Sequence, residues 1–414
     1  MNKTAFCFLA SCLMGVIIFA SGCAKKENSN SSSGGPGAAM VDTGQTSCYD
    51  DNGPAKCPAR GEPFHGQDAQ YFSTQMSYQD NGDGTVSDLV TGLMWQKTYG
   101  AKTSLDAALA AASSQNTGGY NDWRVPTIKE LYSLMNFEGV RGDGAADSTP
   151  FINTAYFDFA YGNTAAGERF IDAQYLSSTT YVGTTMNGDA TVFGVNFADG
   201  RIKGYPRYAT ANPGPAGGQG AGGNMFIRYV RGGQSGANSF KDNGDQTITD
   251  NATGLTWLKG DSVSMGAGTL NWQSALAWCE NLDFAGRTDW RLPNAKELQA
   301  IVDYSRSPST TGSAAIDPIF MASRITVEQG NSDFAFYWTG TTHVESPAYG
   351  SYAVYIAFGT AYGYMQGRLM DVHGAGCQRS DPKSGDPGQY PQGHGPQGDV
   401  IRIYNLARCV AGGV

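Results

Sequence analysis

Cys377 lies in "DVHGAGCQRSDPKSGDPGQYPQGHGPQGD", a Gly/Pro-rich stretch with His373 four residues before the thiol and His394 further along. One cysteine and two histidines are what a thiol nucleophile with its base, or a transition-metal site, would require. Zinc sites pair their ligands at tighter spacing, and no such pairs occur here. The NGDG corner at residues 81–84 is not a calcium loop, because the first liganding position would be Gln79 or Lys241 and the distal Glu is missing. No G-x-S-x-G, Walker loop or zinc-helix motif is present. The chemistry-bearing residues therefore call for no metal and no cofactor, and a thiol enzyme would rest on Cys377.

The elements that would position such residues are written twice. "GYNDWRVPTIKEL" at 119–131 returns as "GRTDWRLPNAKEL" at 286–298, and "QDNGDGTVSDLVTGLMWQK" at 79–97 returns as "KDNGDQTITDNATGLTWLK" at 241–259. "QYLSSTT" (174–180) matches "FYWTGTT" (336–342), and "IRYVRGG" (227–233) matches "ARCVAGG" (407–413). Similar strings in the same order mean two copies of one fold, placed at 64–235 and 236–414 and expected to pack as separate modules.

Within each copy the NGD and TGL corners lie between alternating residues and predict hairpins leading to Trp95 or Trp257. A helix then starts on Ser104 or Asn271, with Leu105, Ala108, Leu109 and Ala112, or Trp272, Ala275, Leu276 and Cys279, on one face. A second helix starts at the capping pattern Thr127–Glu130 or Asn294–Glu297. Strand-like alternation follows, so each copy is an α+β domain. Pro126 and Pro293 hold the chain extended before the caps. Trp123 and Trp290 are core anchors, and Arg124 and Arg291 are expected to pair internally with a carboxylate such as Asp122, Glu130, Asp289 or Glu297.

The N-terminus reads as an export signal. Residues 1–22 carry Lys3, an apolar run from Ala5 to Ala20, and small residues before Cys23. Cys23 in that setting resembles the acylated first residue of a bacterial lipoprotein, making membrane lipid one partner. Ala24 in place of Asp favours the outer membrane. Residues 23–47 are polar and Gly/Ser-rich, a flexible tether. Over 414 residues the net charge is −9 with 16% charged residues and no Lys/Arg cluster, which argues against nucleic acid, anionic lipid headgroups and sulfated polysaccharide as purely electrostatic partners.

The hairpin tryptophan, the D-W-R-[LV]-P-x-x-K-E-L string and the terminal R-x-V-x-G-G element of the two copies together resemble the Lcl C-terminal domain family over most of residues 42–414. That resemblance implies two tandem C-type-lectin-like domains, akin also to formylglycine-generating enzymes, each with hairpins, two helices and a mostly antiparallel twisted sheet. It implies a surface-binding role like that of the collagen-like adhesin the family caps, which is associated with glycosaminoglycans. The E-P-N, Q-P-D and W-N-D motifs of calcium-dependent lectins do not occur, so calcium-dependent sugar binding is not carried over.

Export permits disulfides. Cys48 and Cys57 are close enough to close a lead-in loop over residues 48–63. Cys279 and Cys409 are both present in the second copy, whereas their counterparts Ala112 and Tyr229 are both not cysteine, which is what a bond predicts; a C-type-lectin-like fold would bring that helix and strand together. Cys377 is left over. The expected function is a surface-exposed, non-enzymatic adhesion lipoprotein binding an extracellular glycan or protein through variable loops. Its candidate contacts are Tyr205, Tyr208, Tyr349, Tyr352, Tyr362, Tyr364 and Tyr390, since tyrosine supplies amphipathic contact area. The alternatives are a thiol- or metal-dependent enzyme and a structural envelope protein.

Overall fold

The computed structural model describes residues 40–208 and 224–413. Each copy opens with the expected hairpins. In the first, Tyr78–Asp80, Thr85–Asp88 and Met94–Gln96 pair in turn, and Val230–Arg231 joins the last of them to complete a four-stranded sheet. In the second, Phe240–Asp242, Thr247–Asp250 and Thr256–Leu258 are followed by Val410–Ala411 and Trp290–Arg291 in a five-stranded sheet. The buried carboxylate of Asp88 or Asp250 shapes each TGL corner by accepting from backbone amides, those of Val90 and Thr91 on Asp88 and that of Ala252 on Asp250. Trp95 and Trp257 are both fully buried beneath these sheets.

Helix Leu105–Ala112 starts on Ser104, which accepts from the Ala107 amide at 3.3 Å, and helix Trp272–Glu280 starts on Asn271, which accepts from the Ser274 amide at 2.9 Å. The apolar face of the second is buried as expected. On the first, Leu105 and Ala108 are buried but Leu109 is exposed, because the eight-residue helix covers its sheet only with the earlier turn. Helices Ile128–Ser133 and Ala295–Ala300 each begin with a reciprocal capping box, Thr127 with Glu130 and Asn294 with Glu297.

The expectation of two separately packed modules is not met. One eight-stranded sheet runs through both copies in the order Phe336–His343, Tyr352–Ala357, Gln378–Pro382, Arg201–Pro206, Asp189–Asn196, Gln174–Thr185, Met225–Ile227, Gly100–Thr103. Only Met225–Ile227 against Gln174–Thr185 is parallel. Each copy contributes a three-stranded meander, and the third strands meet at Gln378 and Ile202 in antiparallel register, so the copies face each other about a pseudo-dyad. In the first copy Arg201–Pro206 is the third strand. In the second, the chain after Tyr352–Ala357 leaves the sheet as a hairpin, Tyr362–Met365 with Arg368–Asp371, and the Gly/Pro-rich insertion returns Gln378–Pro382 to the vacant edge.

The core follows the sheet across the joint: Trp95, Leu131 and Phe193 belong to the same buried cluster as Trp257, Leu298 and Tyr355. A satellite cluster of Leu105, Trp123, Leu176, Val192 and Tyr205 sits under the first helix. The tether is shorter than expected. Residues 41–45 are not flexible linker, since Val41, Asp42, Thr43 and Gln45 are buried against both copies. Cys23, the signal segment and tether residues 24–39 lie outside the described residues.

Candidate functional site

The repeated string builds the same ion pair twice, fully buried in the second copy and with the arginine part-exposed in the first. Arg124 grips Glu130 through two hydrogen bonds of 2.7 Å, and Arg291 grips Glu297 at 2.7 and 2.6 Å. Each glutamate also accepts from the amide of its cap, Thr127 or Asn294, so one carboxylate fixes both the helix start and the preceding strand. Asp122 and Asp289 serve other arginines, Arg231 and Arg287. With Trp123 and Trp290 buried beside them, these residues are fold-forming. Two further arginines were not singled out in the sequence. Arg228 and Arg408 are fully buried, each donating to a fan of backbone carbonyls and packing over aromatic rings, Phe157 and Tyr175 or Phe320 and Tyr337. Their shared place in "IRYVRGG" and "ARCVAGG" was the available signal.

Both expected disulfides are present: Cys48 with Cys57, and Cys279 of the helix with Cys409 of the last strand. Cys377 is free and fully buried. Burial pushes its thiol well up from the ordinary range, with Asp371 adding to the shift. His373 is also buried, and desolvation with neighbouring Arg379, Lys203 and Arg201 holds it neutral. Its Nε2 bonds Asp399 at 2.9 Å and its Nδ1 has no partner, so neither ring nitrogen serves the thiol. His394 is exposed and meets Asp399 only through backbone hydrogen bonds. The three residues do not assemble as a nucleophile with its base, and among the described residues no three His, Cys, Asp or Glu side chains gather as a metal site.

The tyrosines separate into two groups. Tyr205 points into the satellite core, 3% exposed, and offers no contact surface; the strand's alternation places it inward together with Arg201 and Lys203. Tyr208 and Tyr349 are exposed, and Tyr352, Tyr362, Tyr364 and Tyr390 are half-buried. Tyr362 and Tyr364 share one face of their hairpin. Tyr390, from the insertion, stands beside Tyr352, whose hydroxyl is pushed up to about 12 by burial and by that neighbour. The lead-in loop completes this end of the molecule: Tyr49 packs on Gly350, Lys383 Nζ lies 5.6 Å from its ring, and Ser384 donates to Asp51 at 2.9 Å.

A further cleft lies elsewhere, between the copies. Helices Ile128–Ser133 and Ala295–Ala300 flank the pseudo-dyad, and a cleft of about 470 Å³ opens beside them under residues 234–238. A smaller cavity of about 100 Å³ reaches both Lys129 and Lys296. Burial lowers Lys129 to about 8 and Lys296 to about 7. Neither lysine was a candidate in the sequence, where a lysine in the first helical turn reads as a solvated position. Among the described residues no helix is long and apolar enough to cross a membrane.

No curated protein and no solved structure matches the chain. The Lcl C-terminal domain matches twice, at residues 84–213 and 246–373, the two copies that the repeated strings and the mirrored meanders delimit. With more than half of its length matched in this way, the chain belongs to the Lcl C-terminal domain family.

Proposed function

We propose that this protein is a non-enzymatic binding lipoprotein, held at the outer membrane through an acylated Cys23 and displayed outward, with two C-type-lectin-like frames presenting loops to an extracellular glycan or protein ligand. The observation that carries this reading is the pairing of Tyr390 with Tyr352 on a rigid sheet, beside exposed Tyr349 and the docked lead-in loop. Half-exposed tyrosines anchored at their base provide contact area at little conformational cost. Here the sheet supplies the frame, and the insertion that interrupts the second copy supplies the ring. The buried, protonated Cys377 favours this reading over thiol catalysis, which needs an accessible thiolate.

The test is an array of glycans and matrix proteins probed with the mature protein, its Tyr352→Ala/Tyr390→Ala variant and its Cys377→Ala variant. Binding that the tyrosine variant loses and the cysteine variant keeps supports the proposal. A thiol-dependent turnover that disappears in Cys377→Ala would overturn it in favour of an enzyme.

A further inference from the structure

The pseudo-dyad creates two equivalent slots, and the chain fills one of them itself. In the filled slot, residues 41–46 run extended between the second copy's motif helix and the start of the first copy's hairpins. Lys296 Nζ donates to the Asp42 carbonyl at 2.7 Å, the Asp42 amide donates to the Thr74 carbonyl at 2.8 Å, and the Phe137 amide donates to the Thr43 carbonyl at 2.9 Å. The carboxamide of Gln45 then closes a two-way pair with Thr342: Nε2 donates to its carbonyl and Oε1 accepts from its amide, both at 2.8 Å. Gly44 passes between Asn136 and Met76 at φ +81°, a conformation and a clearance that exclude a side chain.

The repeat assigns each wall of this slot a counterpart. Lys296 corresponds to Lys129, Thr74 to Gly236, Met76 to Asn238, Asn136 to Asp303, Phe137 to Tyr304, and Thr341 to Thr179. The structure supports this alignment, because Leu89 and Asn251 donate to the equivalent carbonyls of Ser77 and Ser239. All six counterparts line the cleft of about 470 Å³ described above, and no described residue occupies it as the lead-in occupies its mate. Thr179 accepts from the Ile128 amide as Thr341 accepts from that of Ala295, so the walls are built alike. One difference bears on the occupant. The carboxylates are placed differently: in the filled slot Asp68 and Glu138 accept from Thr43 and Thr46 of the lead-in, whereas the open cleft has Asp303 in place of Asn136, with Asp317 also in its lining.

We infer that the open cleft is a receptor for an extended peptide segment of a partner protein, one that carries a glycine next to a carboxamide side chain and a positive charge alongside. The backbone of Thr180, the counterpart of Thr342, supplies the site for the carboxamide. Asp303 supplies the site for the charge. The Lys129 contact of 3.3 Å to the Gly236 carbonyl is the one that a peptide carbonyl replaces. This is main-chain recognition of the kind seen when a segment adds to an existing backbone edge. The tyrosine surface takes no part in it.

The test uses the mature protein and a synthetic peptide with the sequence of residues 41–47 extended by one lysine, titrated by fluorescence anisotropy. Saturable binding is expected, weakened about tenfold when the peptide carries Gln45→Ala, the loss of one buried amide pair. It should vanish in the protein variant Ala237→Trp, which fills the cleft from an exposed position and leaves the melting temperature unchanged. No saturation at millimolar peptide, or equal binding to Ala237→Trp, overturns the inference. A concentration-dependent dimer abolished by Ala237→Trp would also overturn it, by making the occupant a second copy of this chain.

Discussion

Lys129 and Lys296 each donate to the last turn of the other's helix. Lys129 Nζ meets the Ala300 carbonyl at 2.6 Å, and Lys296 Nζ meets the Ser133 carbonyl at 2.8 Å. A cation at a helix C-terminus satisfies carbonyls that have no partner within the helix and opposes the negative end of the helix dipole. Here the exchange is reciprocal, so the lysine of the repeated string ties the two copies together.

Removing this tie should be measurable. Lys296→Met leaves the Ser133 and Asp42 carbonyls without their donor and should cost about 2 kcal/mol, as expected for buried acceptors losing a charged partner. Lys129→Met should cost less, its ammonium being nearer solvent. The double variant should show a coupling term, because both residues secure one interface. Urea unfolding of the four proteins checks this; strictly additive losses would mean that the lysines act independently.

The same burial sets a pH dependence. Lys296 falls to about 7 and Lys129 to about 8, burial being the larger cause in each and outweighing the opposing pull of Asp42, Asp88 and Asp68 on one and Asp303 and Asp250 on the other. Lys203 in the sheet joint also falls to about 7. The unfolded chain therefore binds more protons than the folded one between about pH 7 and the ordinary lysine value near 10.4, and stability should rise with pH across that window. Unfolding at pH 7, 8 and 9 should show this slope, reduced in Lys296→Met. A flat profile, or an unchanged slope in the variant, would show that these lysines stay fully protonated in the folded protein.

Much of this fold was legible because it is local and written twice. The caps, the hairpin corners, the Trp anchors and the Arg–Glu pairs each need only a few residues at fixed spacing. The Cys279–Cys409 bond could be read because its two positions change together between the copies. The merged sheet could not be read. Its joint rests on Gln378 against Ile202, and Gln378 lies in a Gly/Pro-rich stretch without the alternation that announces a strand. Tyr205 was misplaced for a related reason: aromatic content suggested a loop surface, whereas its register with Arg201 and Lys203 turns it inward. Lys129 and Lys296 share one place in the repeated string, but a lysine in a first helical turn reads as solvated until the two helices are seen side by side.

The two disulfides should differ in weight. Cys279–Cys409 spans 130 residues and Cys48–Cys57 only 9, so chain-entropy reasoning gives losses of about 5 and 2.5 kcal/mol on removal. The Cys279→Ala/Cys409→Ala variant should therefore melt well below Cys48→Ala/Cys57→Ala, as calorimetry would record. The opposite order would mean that the lead-in loop contributes more through docking against Gly350 and Lys383 than through closure. Cys377 should resist alkylation in all folded forms and react only in denaturant.

Separating the copies is the most demanding test of the shared architecture. A fragment of residues 236–414 keeps its own hairpins, its helices Trp272–Glu280 and Ala295–Ala300, and the Cys279–Cys409 bond. It loses the strand partner of Gln378, the carboxylate of Arg201's partner Glu345 is left without its guanidinium, and Thr341 and Thr342 lose Asp68 and Gln45. Buried polar groups stranded in this way cost about 1–3 kcal/mol each, and more where charged, which together exceeds what a domain of that size has to spare. The fragment should show no cooperative unfolding transition and weak near-ultraviolet dichroism. Restoring residues 40–235 as a separate chain should recover both signals. Cooperative unfolding of the isolated fragment would mean that the common sheet is a contact between finished domains, not a part of either core.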